Sequence, residues 1–351
     1  MSLFSKDRDL TQPADKVELV VDASALGLKI GAVNLRLDTF LVPHLSWRSR
    51  SSIQNLIREG FLLVDASSPD HPQGTGELRR ETRPGRKLKH GSRVVVIIPP
   101  ELRMPETDAS GADLVVLYED DDLLVVDKPA LVAVHPSGRY MSDTLIQQVH
   151  ARFRDAEVPF DGAPRLCHRI DRETSGLVLI AKNPIAHRHL MLQFESRTVE
   201  KEYLALVHGV PDWDEGSITF SMGPSRSSAV RLKMSVRADG SEARTDWKRV
   251  ETRGDYSVIA CELFTGRQHQ IRLHLSAIGH PIVGDKLYGE SEEYFIRAAE
   301  GTLTSHDLEV LELPRHALHN HRLAFESPST GQRIEVRSPL PEDMAVAYGA
   351  R

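Results

Sequence analysis

One acid stands among cations between residues 165 and 172. Asp171 is flanked by Arg165, His168, Arg169 and Arg172, and a carboxylate in such company is held ionised by the opposite charges around it. An ionised carboxylate with basic neighbours suits a nucleophile or a general base that works on a polyanion. By itself, an Asp just before Thr174-Ser175-Gly176 reads as a turn residue bonded to nearby amides; the cations are what turn the reading toward chemistry. Downstream, Arg267, His269, Arg272 and His274 could form a phosphate site, whereas two histidines five residues apart do not converge on a helix to hold zinc. His187 and His189 have no Cys or acid at ligand spacing, and His316, His319 and His321 have no anionic ligand beside them. Cys167 and Cys261 each sit in an apolar stretch and read as core thiols. No metal is expected from this inventory.

The elements that must position these residues are partly legible. Leu177 to Ala181 is a short, continuously apolar run after a Thr-Ser-Gly turn, the mark of a strand buried on both faces, so Asp171 sits on the turn that feeds it. Asn183-Pro184 then opens a helix with Leu190, Met191 and Phe194 on its apolar stripe and an end near Glu195. Tyr203 lies in a strand-like run, where its own chemistry predicts half-buried packing with the hydroxyl bonded to a neighbour. Over Thr265 to Gly279, Ile271, Leu275 and Ile278 recur at helical spacing before a Gly and a Pro, which predicts a helix with Gln268 and Arg272 on one face. Hairpins are predicted from Leu114–Leu117 and Leu123–Val126 around a solvated acidic tip, and from Leu323–Glu326 and Arg333–Arg337. Glu290 to Leu313 matches no usable pattern.

At 351 residues the chain is long enough for two domains, and its 40% hydrophobic and 27% charged residues are those of an ordinary globular protein. Residues 1–15 read as a polar, flexible tail without a secretory signal, and no apolar run is long enough to span a bilayer, so a soluble, cytoplasmic monomer is expected. The net charge of −6 does not exclude a nucleic-acid partner, because local charge decides phosphate binding: eleven Lys and Arg face six acids between Asn34 and Ile98. That segment reads as a strand over Lys16–Asp22, helices over Arg36–Val42 and Ser49–Glu59, and strands over Phe61–Val64 and Arg93–Ile98. Arg36, Arg48, Arg50 and Arg58 ride on or near these helices as candidate phosphate contacts. Residues 99–112 are Pro-rich and polar, a linker.

The run His168-Arg169-Ile170-Asp171-Arg172-Glu173-Thr174-Ser175-Gly176 resembles the catalytic motif of the RluA-type RNA pseudouridine synthases. Three further segments resemble the same family in the same order: Leu124 to Pro129 with His135-Pro136, Lys201-Glu202-Tyr203, and Thr265 to Arg272 with Gly279-His280-Pro281 and Gly284-Asp285. Residues 16–98 resemble the alpha-L RNA-binding module of ribosomal protein S-four, except that residues 65–86 hold an insertion, which either extends the RNA surface or is a mobile loop; the loop is the preferred reading. The resemblance implies an α+β architecture: a small N-terminal RNA-binding domain, the linker, and a catalytic domain over residues 113–345 with a mixed, mainly antiparallel sheet flanked by helices. It also implies isomerisation of uridine to pseudouridine in RNA, ribosomal RNA before tRNA, with no cofactor. Asp171 would be the catalytic carboxylate, Arg272 its partner, Tyr203 the tyrosine set against the base, Arg169 the residue that braces the gap left by a flipped uridine, and Arg267 a further RNA contact. A non-catalytic ribosome-assembly factor on this fold would not need that set, and a glycoside hydrolase would be expected to show a second catalytic acid.

Overall fold

The computed structural model describes residues 15–45, 50–68, 71–72, 74–99, 103, 114–137, 140–154 and 164–349. The chain divides into two compact units, Met1–Asp113 with His135–Arg165, and Leu114–Val134 with Leu166–Arg351. The expected N-terminal tail, Arg48 and nearly all of the expected linker lie outside the described residues.

In the first unit, strands β1 (Lys16–Val20), β2 (Leu62–Asp65), β3 (Arg79–Arg80) and β4 (Arg93–Ile97) form an antiparallel sheet in the order β1-β4-β2-β3. Helices α1 (Leu37–Leu41) and α2 (Arg50–Arg58) pack Leu37, Phe40, Leu41, Ile53, Leu56 and Ile57 in one core with Leu62, Val94 and Val96. The first helix is shorter than its sequence suggests, because Arg36 is extended and pairs with Lys87. Residues 65–86 are more than a loop. The buried Asp65 carboxylate accepts the amides of Thr75 and Gly76, and β3 closes the segment back onto β2. Helix α3 (Leu145–Arg154) also belongs to this unit.

The second unit is built on β5 (Val116–Glu119), β6 (Leu123–Lys128), β7 (Ser175–Ala181), β8 (Glu200–His208), β9 (Glu215–Ile218), a small separate hairpin β10 (Met222–Pro224) and β11 (Met234–Val236), then β12 (Thr245–Arg253), β13 (Tyr256–Leu263), β14 (Leu318–Glu326) and β15 (Arg333–Arg337). The main sheet runs β9-β12-β13-β8-β14-β7-β6-β5, with β15 also paired to β14. Neighbours along this path are antiparallel except β7 and β14, which are parallel with Ser175 opposite His319 and Gly176 opposite Asn320. Every residue of β7 is buried, as its unbroken apolar run predicts. Helix α4 (Pro184–Ser196) starts at the Asn183 cap, whose side chain accepts the Ala186 amide, and ends one residue past the expected Glu195, with Arg197 as its left-handed C-cap. Helix α5 (Gln270–Ala277) begins later than the spacing suggests, leaving Gln268 outside it with its amide on the Leu232 carbonyl. The unmatched stretch 290–313 holds α6 (Glu293–Glu300) and α7 (Ser305–Leu311), the second opened by a reciprocal Thr304–Asp307 capping box. Helix α8 (Glu342–Gly349) closes the described chain.

The acidic turn between β5 and β6 is not merely a solvated tip. Asp120 accepts the amides of Asp122 and Leu123, while Glu119 pairs with Lys182 and Asp122 Oδ1 accepts from Asn183 Nδ2. The turn thus fastens the end of β7 and the start of α4, the two elements that follow Asp171. Among the described residues no helix is long and apolar enough to cross a membrane.

Candidate active site

The loop 168–174 is pinned from three sides. The Leu179 N–H donates to His168 Nε2 at 3.0 Å and the His168 ring stacks on Phe194, so the histidine nearest Asp171 in sequence is spent on holding the loop to β7 and α4. The Lys128 ammonium, fully buried, donates to the carbonyls of Pro129, Val132 and Arg172. Burial pulls the Lys128 pKa down to about 7, although three carbonyl acceptors for three N–H donors favour its charged form. Finally Thr174 Oγ1 bonds His316 Nε2 at 2.8 Å and Ser175 Oγ bonds His319 Nδ1 at 3.0 Å.

The charges that face Asp171 are not its sequence neighbours. Arg172 turns away to the Leu131 carbonyl and Glu173, and Arg169 is exposed. Instead Arg272 Nη1 donates to Asp171 Oδ2 at 2.9 Å, while Arg272 Nε and Nη2 make a bidentate pair with Asp285 at 2.7 and 2.9 Å. Asp285 Oδ1 also accepts the Leu287 and Tyr288 amides. The neighbour-based expectation fails for a geometric reason: successive side chains on a tight loop point apart, whereas α5 delivers Arg272 from 101 residues away. Burial opposes ionisation of Asp171, but His269, Arg272 and His316 more than offset it and hold the pKa at about 2. Burial also pushes the His269 and His316 imidazoles down, to about 4 and about 3, so at neutral pH both are uncharged and Arg272 is the cation facing the carboxylate. Asp285 and Asp171 raise the Arg272 pKa despite its burial.

Around Asp171 opens a cavity of about 350 Å³ lined by residues that include Arg169, Phe194, Lys201, Tyr203, Arg267, His269 and Arg272. Asp171 is the one acid in that lining, so the pair of acids that glycoside hydrolysis uses is not assembled here. Tyr203 is buried on β8, opposite Asn320 at a register shift between Glu202 and Tyr203, the kind of bulge that re-aims a side chain. Burial and the Asp171 charge both raise the Tyr203 pKa, keeping its hydroxyl protonated. Arg267 lines the cavity and is itself exposed, but His274 leaves the expected phosphate cluster: it is buried, bonded to Thr245 Oγ1 and the Phe220 carbonyl. His316 and His319 are buried in the bonds above and His321 Nδ1 meets the Ser338 carbonyl; among the described residues no group of three or more His, Cys, Asp or Glu is placed to hold a metal ion. In the first unit the fully buried Asp38 carboxylate accepts from Arg36, Arg50 and Gln54, and Arg58 is exposed on α2. Sequence reasoning gave no role of their own to Lys128, Glu173, Lys201 and Asp285, although each lies in one of the family-like motifs; it read His269 only as a phosphate contact and gave His316 no part in the site. Apart from the motif resemblance, charge and spacing do not separate them from ordinary polar residues.

A single ionised carboxylate, clamped by one buried arginine and faced by a protonated tyrosine in a partly apolar cavity, is equipped for nucleophilic or base chemistry on one flat polar group. The family described as RNA pseudouridylate synthase matches residues 122–277. The chain is 34% identical over 88% of its length to an uncharacterized RNA pseudouridine synthase of Bacillus subtilis (strain 168), covering 92% of that protein. It is also 34% identical over 95% of its length to the protein named ribosomal large subunit pseudouridine synthase D of Nitrosomonas europaea, covering 87% of it. Among solved structures, human RNA pseudouridylate synthase domain containing 1 superposes with a TM-score of 0.53 at 28% identity, over 68% of this chain and 89% of that one. The chain belongs to the RNA pseudouridine synthase family, as the resemblance of its four motifs implies. It is an isomerase that acts on RNA, with the mixed α+β architecture of that family.

Proposed function

We propose that the protein converts specific uridines of large-subunit ribosomal RNA to pseudouridine, with Asp171 as the catalytic carboxylate. The observation that carries the assignment is the 2.9 Å bond from Arg272 to Asp171 Oδ2 on the wall of the cavity, with no hydrogen bond to Oδ1 among the described residues. In this reading the N1–C1′ bond breaks, the uracil turns, C5 bonds to C1′, and the proton on C5 is lost while N1 gains one. Asp171 acts on the ribose or the base, Arg272 keeps it ionised, and Tyr203 packs against the uracil. The uridine must leave its stack to enter the cavity, and exposed Arg169 is suited to brace the gap. Residues 16–98 supply RNA affinity through Arg36, Arg50 and Arg58, which project from the buried Asp38 cluster or from α2, together with Arg48; Arg267 adds a contact beside the cavity. Residues 113–345 carry the chemistry. The protein is read as a cytoplasmic monomer; two buried free thiols, Cys167 and Cys261, suit the reducing cytoplasm.

The choice of ribosomal RNA draws on the relatives named for the large ribosomal subunit. The test is release of tritium from RNA labelled at uridine C5, with a map of pseudouridines in cells with and without the gene. Release by the wild-type protein, its loss in Asp171→Asn with RNA binding kept, and missing sites in the large-subunit RNA are the expected results. Full turnover by folded Asp171→Asn overturns the role of Asp171, and loss confined to tRNA overturns the choice of substrate.

A further inference from the structure

His269 and Tyr288 occupy an arrangement that the reaction as described does not use. His269 is the residue before α5 and adopts a left-handed backbone, φ 58° and ψ 19°, which a non-glycine residue takes only at a cost. That conformation turns its ring so that Nε2 lies 3.8 Å from Asp171 Oδ2 while Nδ1 lies 2.9 Å from the Tyr288 hydroxyl. Tyr288 is itself buried, and its hydroxyl oxygen accepts the Met234 N–H at 2.8 Å.

Proton counting settles which way this chain of bonds runs. The Tyr288 oxygen already accepts from Met234, and among the described residues its only other partner is His269 Nδ1. If Nδ1 carried a hydrogen, the Tyr288 O–H would have no acceptor, and a buried donor without a partner is destabilising. If Tyr288 donates to Nδ1, its hydroxyl is satisfied both as donor and as acceptor, and a neutral imidazole must carry its hydrogen on Nε2, facing Asp171 Oδ2 at 3.8 Å. The opposite tautomer would also aim a lone pair at the Asp171 carboxylate. Burial keeps the ring neutral, and the groups acting on it are Asp171, Arg272, Asp285 and Arg169 besides Tyr288.

We propose that Tyr288 fixes His269 as the tautomer with its proton on Nε2, and that His269 thereby acts as a positioning residue that holds Asp171 with Oδ2 turned to Arg272 and His269 and Oδ1 turned to the substrate. Arg272 bonds Asp171 Oδ2 from α5 at 2.9 Å while the His269 Nε2–H, on the residue preceding α5, points its dipole at the same oxygen from 3.8 Å, so both favour the rotation of the carboxylate that turns Oδ2 toward them. The backbone of Tyr288 is in turn held by Asp285, the same carboxylate that clamps Arg272. This role rests on the assignment of Asp171, but the tautomer does not.

The test has two arms. Nitrogen-15 NMR of imidazole-labelled wild-type protein at pH 6–8 reads the His269 tautomer directly, with the His269→Gln spectrum identifying the signal. A proton on Nε2 is expected, and a proton on Nδ1 overturns the proposal. Tyr288→Phe is then expected to lower kcat about tenfold with KM for RNA within about twofold of wild type, and to mix the tautomers in the spectrum. His269→Gln, whose amide can place an N–H near Nε2, is expected to retain more kcat than His269→Ala. A folded Tyr288→Phe with unchanged kcat, or equal losses in the Gln and Ala variants, overturns it. Inactivity of Asp171→Asn alongside these results keeps both readings; activity of Asp171→Asn removes the catalytic assignment and, with it, the purpose given to His269, while leaving the measured tautomer in place.

Discussion

Arg272 lies between two carboxylates, and removing it separates the electrostatics of the site from its chemistry. In Arg272→Met the Asp285 carboxylate keeps only its two backbone amides, and Asp171 loses its one charge-assisted bond. Asp285 has no exposure at all in its side chain, whereas Asp171 is 28% exposed and can be hydrated in part. The damage should therefore fall mainly on Asp285. Deleting one partner of a buried pair costs about 3–5 kcal/mol because the other charge is left uncompensated. The Asp171 pKa, now about 2, should rise above that of an ordinary Asp, since burial is the largest influence on it and pushes upward. Urea unfolding at pH 7 should show Arg272→Met destabilised by that amount, and Arg272→Met/Asp285→Asn more stable than the single variant because the stranded charge is gone. Tritium release should be lost in both. If the single variant lay within about 1 kcal/mol of wild type, or the double variant were less stable than the single, the reasoning from a stranded carboxylate would be wrong.

Two further outcomes follow from the packing. Burial depresses the pKa of His168, His269, His316 and His319 to about 3, 4, 3 and 4 from 6.5; the unfolded chain then binds protons below pH 6.5 that the folded one refuses. Stability from these groups is thus full above pH 6.5 and falls toward pH 4 by about 1.4 kcal/mol per pH unit for each histidine, and unfolding free energies that stay flat from pH 7 to pH 5 would contradict it. Gly176→Ala should destabilise by about 2–5 kcal/mol, because φ is 105° and a Cβ there would lie 2.3 Å from the Asn320 carbonyl; Gly266→Ala, with nothing within 4 Å, should leave the melting temperature unchanged.

Most of the scaffold near Asp171 was readable because its signals are local. The apolar run of β7, the Asn183-Pro184 cap and the periodicity of α5 depend on residues a turn or a strand apart, and each element formed within a few residues of its expected limits. The support of the site was not readable because its bonds span large sequence distances. Asp285 reaches Arg272, His316 reaches Thr174 across 142 residues, and Asn183 reaches Asp122 across 61. Charge and spacing within a window of ten residues do not distinguish Asp285 from a surface acid, or tell Arg172 from Arg272 as the cation that meets Asp171. The motif resemblance identified Arg272 where local charge counting pointed to the wrong neighbours.

The parallel pairing of β7 with β14 bears on when the loop that carries Asp171 is fully pinned. Parallel strands begin at the same edge of a sheet, so the loop entering β7 lies beside the residues entering β14, and Thr174 and Ser175 are held by His316 and His319. A chain made from its N-terminus has Asp171 and Tyr203 more than a hundred residues before it has His316. Closing that loop of about 140 residues is an entropic cost that local hairpins do not bear. Until β14 has been synthesised and has taken its place between β7 and β8, the loop that carries Asp171 lacks the bonds that His316 and His319 give it.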